Sequence, residues 1–169
     1  LGPEALEESH QQWIDLSTAS PIAIVPEKAN EQHYEVPPRF FELVLGANLK
    51  YSSGYWPKEV SSLDQSEHEM LKITCERAGL VDGQDILELG CGWGSLTYFI
   101  AQKFPNSKIT AISNSKDQRN FIQQKNNTLN LQNIKVITAD MNDFSTNEKF
   151  DRVISIEMFE HMRNYDELL

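Results

Sequence analysis

One short run limits this chain more than any other: Glu88-Leu89-Gly90-Cys91-Gly92-Trp93-Gly94-Ser95. Asp85-Ile86-Leu87 leads into it with the apolar character of a strand, and Leu96-Thr97-Tyr98-Phe99-Ile100-Ala101 follows with that of a helix. Glycines so closely spaced permit a tight strand-to-helix turn and let backbone approach a ligand. The same alternation continues downstream, with strands expected at 85–89, 108–113, 134–138 and 152–156. Helices are expected at 95–101 and 116–129, and from Asn164 onward. Such alternation builds an α/β, doubly wound, Rossmann-like fold: a parallel sheet with helices on both faces. Ligands of these sheets bind outside the carboxyl ends of the strands. That rule brings residues 90–94, residues 113–118, Asp140 and residues 157–161 to one crevice.

The chemistry of the turn selects among ligands. The plainest reading is a tight turn that holds nothing, and the pattern around it weighs against that. A dinucleotide loop would read G-x-G-x-x-G, and Ser95 stands where the third glycine belongs. Residues 109–116 also lack the acid that would hold the ribose of NAD. A P-loop is excluded, because no Gly-Lys-Ser/Thr follows. Glu88 sits two residues before the first glycine. A carboxylate there repels a pyrophosphate but suits the ammonium and sulfonium of S-adenosylmethionine. E-x-G-x-G-x-G after a strand therefore points to a methyltransferase.

Residues 1–63 have a different texture. They hold Pro3, Pro21, Pro26, Pro37, Pro38 and Pro57, out of 7 prolines in the chain. Short helices and turns wrapped around a body are expected, since proline donates no backbone hydrogen bond. One helix is read over 4–17. Pro38 opens a second over 39–45, with Gly46 as its stop. A third is capped by Asp64 or Ser66, runs through Met70, Leu71, Ile73 and Thr74, and ends at Gly79. The division drawn is a helical N-terminal extension, residues 1–63, and a cofactor-binding domain, residues 64–169.

The formal net charge of −10 and the absence of a Lys/Arg cluster count against a nucleic-acid partner. A cationic or neutral small substrate suits that charge better than an anionic membrane surface. No apolar stretch approaches the roughly 18 residues of a membrane span, so no integral membrane association is expected. No leader is visible, and a cytoplasmic location is expected. Cys75 and Cys91 have no metal-ligand spacing and are read as reduced thiols, with no metal site.

Five segments together resemble the cyclopropane-fatty-acid-synthase-like methyltransferases, and within them the coclaurine-N-methyltransferase-like branch. They are NEQHYEVP at 30–37, LKYS at 49–52, ELGCGWG at 88–94, ISNSKDQ at 112–118 and SIEMFEHM at 155–162. The resemblance implies a class I methyltransferase sheet and S-adenosyl-L-methionine as cofactor. It implies that Tyr51 and Ser52 contact the methionine part and that Gly90, Gly92 and Gly94 pass beneath it. Ser113 and Gln118 would take the ribose, which accounts for the missing acid. Asp140, with the backbone of Met141, would read the adenine, although by position alone Asp140 is equally an ordinary strand-end turn acid.

The resemblance also supplies a reacting end. Methyl transfer needs an in-line nucleophile close to the sulfonium, and an amine acceptor must be neutral. In the amine-methylating branch the Glu and His matching Glu160 and His161 act on the acceptor amine, and Glu157 would orient it. Without that context, adjacent Glu and His would be two polar residues of a loop facing solvent. Cyclopropane synthases carry a cysteine after the Tyr-Ser pair, as part of a bicarbonate site; here Ser53 stands in its place. That favours N-methylation of a small amine over modification of an unsaturated fatty-acyl phospholipid. Tyr55 and Trp56 either line the acceptor pocket or belong to the core. Family members have seven strands and this chain supplies four, so the sheet reads as truncated after strand four. The β-branched run at 152–156 is that of a strand buried on both faces. Left at an edge it would invite self-association, and a domain that binds cofactor or partner without catalysis is the third reading.

Overall fold

The computed structural model describes residues 2–25 and 36–169; residues 30–35 of the first resembling segment lie outside them. Helix α1 spans Pro3–Thr18, α2 Pro38–Val44 and α3 Leu63–Arg77. Then β1 (Asp85–Leu89), α4 (Ser95–Lys103), β2 (Lys108–Ser113), α5 (Lys116–Leu129), β3 (Ile134–Thr138) and β4 (Arg152–Ser155) follow. A 3₁₀ turn at Phe159–His161 leads into the short α6, Tyr165–Leu168.

The four strands form one sheet in the order β3-β2-β1-β4, with every neighbouring pair parallel. Leu89 lies opposite both Ile112 and Ser155, so the carboxyl ends of β2, β1 and β4 finish level. This register delivers the three following loops to one end of the sheet. Ser155 Oγ donates to Leu89 O at 3.0 Å and ties two of those ends together.

Alternate residues of β1 face opposite cores. Ile86 packs with Leu71, Cys75, Ile100, Ile109 and Ile122 on one side. Leu87 and Leu89 pack with Ile112 and Met158 on the other. Burial on both faces explains why adjacent positions such as Ile86-Leu87 and Ala111-Ile112 are apolar in β1 and β2. One cap differs from the sequence reading. Ser62, not Asp64 or Ser66, caps α3 by accepting from Gln65 N at 3.3 Å. The Asp64 carboxylate instead accepts from Ala47 N at 2.7 Å, and the Ser66 hydroxyl donates to Leu63 O.

Strand β4 stands at the edge of this sheet. Only one of its faces is buried: Ile154 is in the core, whereas Val153 is 60% exposed. Among the described residues β4 pairs with β1 alone, and nothing covers the face that carries Val153. The strand also stops at Ser155, two residues before Glu157 takes the left-handed φ of 55°.

Gly94, the N-cap of α4, has φ +82°. A Cβ there would sit 2.9 Å from both Ile122 Cγ1 and Tyr98 Cε2. Its absence lets α4 and α5 close over the sheet. Gly94→Ala should therefore lower unfolding stability by about 3 kcal/mol, from left-handed strain plus overpacking. Urea denaturation measures this, and an unchanged midpoint would refute the packing role.

Candidate active site

The glycine turn is held by β2. Gly90 N and Cys91 N both donate to Ile112 O, at 3.0 and 2.9 Å. Gly90, Gly92 and Gly94 all have positive φ, yet they serve different ends. At Gly90 a Cβ would strike Met158, 2.9 Å away. At Gly92 it would meet nothing within 4 Å, because this backbone faces a cavity. That cavity, of about 280 Å³, is bordered by Tyr51, Ser52, Glu88, Gly90, Gly92, Glu157, Glu160 and His161. Three chain segments expected to meet are thereby brought together.

Glu88 forms the buried polar wall. Thr97 Oγ1 donates to its Oε2 at 2.6 Å. Burial disfavours the charged form and pushes its pKa up to about 7, against the pull of the Thr97 hydrogen bond. A neighbouring cation would restore the carboxylate, so this wall suits a positively charged ligand and resists a phosphate.

Residues 49–53 form a second wall. Leu49 and Ser53 have left-handed φ of 51° and 67°, which kinks the segment at both ends. Tyr51 stands edge-on to Phe41, and Phe41 packs on Trp93, with ring centroids 5.5 and 5.2 Å apart. The aromatic chain joins this segment to the glycine turn. Lys50, to which the sequence assigns no role, is buried and lines the cavity. Its ammonium donates to Ser52 O at 3.0 Å and to Ser52 Oγ at 2.8 Å. Burial lowers its pKa, opposed by the carboxylates of Glu157 and Glu67. Ser95, likewise without a role in the sequence pattern, borders the cavity with a buried hydroxyl that has no hydrogen-bond partner among the described residues.

The residues implied for ribose and adenine lie beyond the cavity wall, at the ends of β2 and β3. Ser113 Oγ donates to Gln118 Oε1 at 2.6 Å, which fixes the buried Gln118 amide. Gln118 Nε2 has no hydrogen-bond partner among the described residues. Asp140 Oδ1 accepts from Asn142 N at 2.8 Å, an Asx turn at the strand end. Met141 packs against the core on the Leu89 side of the sheet. Gly94 does not border the cavity; it serves the helix packing described above.

The third wall is the loop after β4. Glu157, Glu160 and His161 border the cavity from its open side, all three exposed. The 3₁₀ turn that carries Glu160 and His161 is pinned by Tyr165 Oη, which donates to Phe159 O at 2.8 Å. Asn164 caps α6 and donates to Thr18 O and Ser20 O, both at 2.9 Å. Tyr55 and Trp56 are 46% and 56% exposed, so they do not belong to the core, and they do not border this cavity. Among the described residues no group of three or more His, Cys, Asp or Glu is placed to hold a metal.

Known proteins share both sequence and shape with this chain. (S)-Coclaurine N-methyltransferase of Thalictrum flavum subsp. glaucum is 40% identical over 166 residues, which are 96% of this chain and 46% of that protein. Cyclopropane-fatty-acyl-phospholipid synthase of Escherichia coli (strain K12) is 31% identical over 138 residues, 80% of this chain and 34% of the other. The crystal structure of coclaurine N-methyltransferase bound to N-methylheliamine and SAH superimposes with a TM-score of 0.91 at 38% identity, covering 99% of this chain and 48% of that one. A mycolic acid cyclopropane synthase complexed with SAH and CTAB gives 0.69 at 30% identity, over 80% and 47%. The chain spans about half the length of the curated relatives it matches. Residues 24–168 match the family model described as mycolic acid cyclopropane synthetase, and the chain belongs to that family.

Proposed function

We propose that this chain is the cofactor-binding part of an S-adenosylmethionine-dependent N-methyltransferase for a small amine. One observation carries the reading: Glu160 and His161 open onto the same cavity as Glu88 and Gly92. A cation site and a proton acceptor are thereby joined in one space. The residues fit the cofactor. Gly92 offers bare backbone to the cavity, Glu88 a buried acid, and Gln118 Nε2 a buried donor suited to a ribose hydroxyl. Residues 1–63 are assigned to the cover of the site and residues 64–169 to the cofactor domain. The likeness to proteins named as coclaurine and pavine N-methyltransferases supports an amine acceptor.

The bound cofactor supplies an electrophilic methyl group on a cationic sulfur. Glu88 balances positive charge from beneath. Tyr51 and Ser52 would hold its methionine end, and Lys50 holds Ser52 in place. Glu160 accepts the proton that an ammonium acceptor must lose, because a protonated amine has no lone pair to donate. His161 shares that task, and Glu157 attracts and orients the cationic acceptor. Ser53 stands where the cyclopropane synthases have a cysteine of their bicarbonate site, which weighs against alkene chemistry. Cys75 and Cys91 are buried free thiols, as a reducing cytoplasm allows. Among the described residues no helix is long and apolar enough to cross a membrane.

The test uses methyl-labelled cofactor offered with a panel of secondary and tertiary amines, and separately with vesicles of unsaturated phospholipid. Label in the amine fraction is expected. Label confined to lipid would contradict the amine assignment.

A further inference from the structure

The segment that carries Lys50, Tyr51 and Ser52 is strapped across α3 by backbone amides. Gly46 N donates to Glu67 Oε1 at 2.8 Å and Asn48 N to Glu67 Oε2 at 3.0 Å. Ala47 N donates to Asp64 Oδ1 at 2.7 Å. The far end is closed by Tyr55 N, which donates to Ser66 O at 2.9 Å. Three successive amides thus fall on two carboxylates one helical turn apart.

Glu67 is fully buried. A buried carboxylate is costly unless it is hydrogen-bonded, and an apolar side chain of similar volume would fill the space at lower cost. Here both oxygens are committed to the strap, and the chain leaves it with Leu49 in the left-handed region. For a non-glycine residue that conformation is strained and persists only where its surroundings enforce it. One residue later Lys50 turns inward to Ser52, between the fields of Glu157 and Glu67. Gly46 belongs to the same device: a Cβ there would lie 2.7 Å from both Asp64 Oδ1 and Glu67 Oε2.

We infer that Glu67, seconded by Asp64, is a positioning residue that fixes the Tyr51–Ser52 wall of the cavity for cofactor binding through the backbone of residues 46–48. This rests on the cavity being the cofactor site. Glu67 touches no ligand itself; it acts through the strap.

Glu67→Gln keeps the volume but leaves one acceptor oxygen for two amides and turns an NH₂ towards the other. Calorimetric titration with SAH should show affinity reduced about 10-fold or more in Glu67→Gln, as expected for loss of a charge-assisted bond. Gly46→Ala, which pushes the strap off the carboxylates without changing any charge, should do the same. Glu69→Gln, on the same helix and paired with Lys72, should bind like wild type. A merely structural Glu67 would lower the urea midpoint and leave the affinity of the folded protein unchanged. If Glu67→Gln does not fold, Gly46→Ala decides. Wild-type binding of SAH with both variants unchanged overturns the inference alone. A wild-type protein that ignores SAH overturns the cofactor reading, and the inference with it.

Discussion

Glu160→Gln lowers methyl transfer by about 10²–10⁴-fold while leaving SAH affinity within about twofold of wild type. The side chain borders the open side of the cavity, on a 3₁₀ turn fixed by Tyr165 and Asn164 rather than by its own contacts. Glutamine keeps its size and most of its polarity but accepts no proton. An amine that arrives protonated then stays unreactive, and raising the pH towards the amine's own pKa should recover part of the rate. Single-turnover assays with labelled cofactor, run beside SAH titrations, check both halves. Loss of turnover and of SAH affinity together would make Glu160 structural.

Glu88→Gln acts on a different step, cofactor binding. Glu88 is buried, with its pKa raised to about 7 by desolvation. An unfolded glutamate titrates near 4.5. Between those values the folded state holds the proton more tightly than the unfolded state does. Stability of the free protein therefore falls as pH rises from about 4.5 to about 7, by an amount on the order of 3 kcal/mol. Glu88→Gln removes this slope, because a neutral amide accepts from Thr97 at every pH. The variant should be the more stable protein at pH 8 and the poorer binder. A cationic ligand favours the carboxylate, so wild-type affinity for S-adenosylmethionine should rise as pH approaches about 7.5. In Glu88→Gln it should be flat and about 10- to 100-fold weaker. Melting curves across pH, with and without cofactor, measure both. Identical slopes in the two proteins would mean that Glu88 does not titrate as described.

Glu88 stands out in the amino-acid sequence for a physical reason, whereas Glu160 is singled out only by the family resemblance. Glu88 is tied to the glycine turn by two residues of chain, and strand-to-helix geometry leaves that turn little freedom. The strands stand out because β1 and β2 are buried on both faces, so apolar residues fall at adjacent positions (Ile86-Leu87, Ala111-Ile112) and do not alternate with exposed ones. Helix α5 reads over 116–129, as observed, since Ser115 caps one end and Asn130 takes the left-handed conformation at the other. The cap of α3 is ambiguous in the sequence because Ser62, Asp64 and Ser66 all have capping chemistry. What separates them is a loop that draws Asp64 away.

Lys50 and Glu67 are not legible as functional residues. Glu67 lies in the run Ser66-Glu67-His68-Glu69, where nothing local separates it from the partly exposed Glu69. Its role comes from amides 19 and 21 residues earlier in the chain. Lys50 reads as an ordinary surface lysine until Leu49 turns left-handed and directs it inward. Such roles are written in tertiary contacts, not in spacing.

The most direct test of the cavity is a calorimetric titration of the protein with S-adenosylmethionine and, separately, with NADH. Saturable one-to-one binding of the first and no binding of the second is expected from a buried acid beneath bare glycine backbone. Saturable binding of NADH, with S-adenosylmethionine giving no heat above dilution, would contradict it.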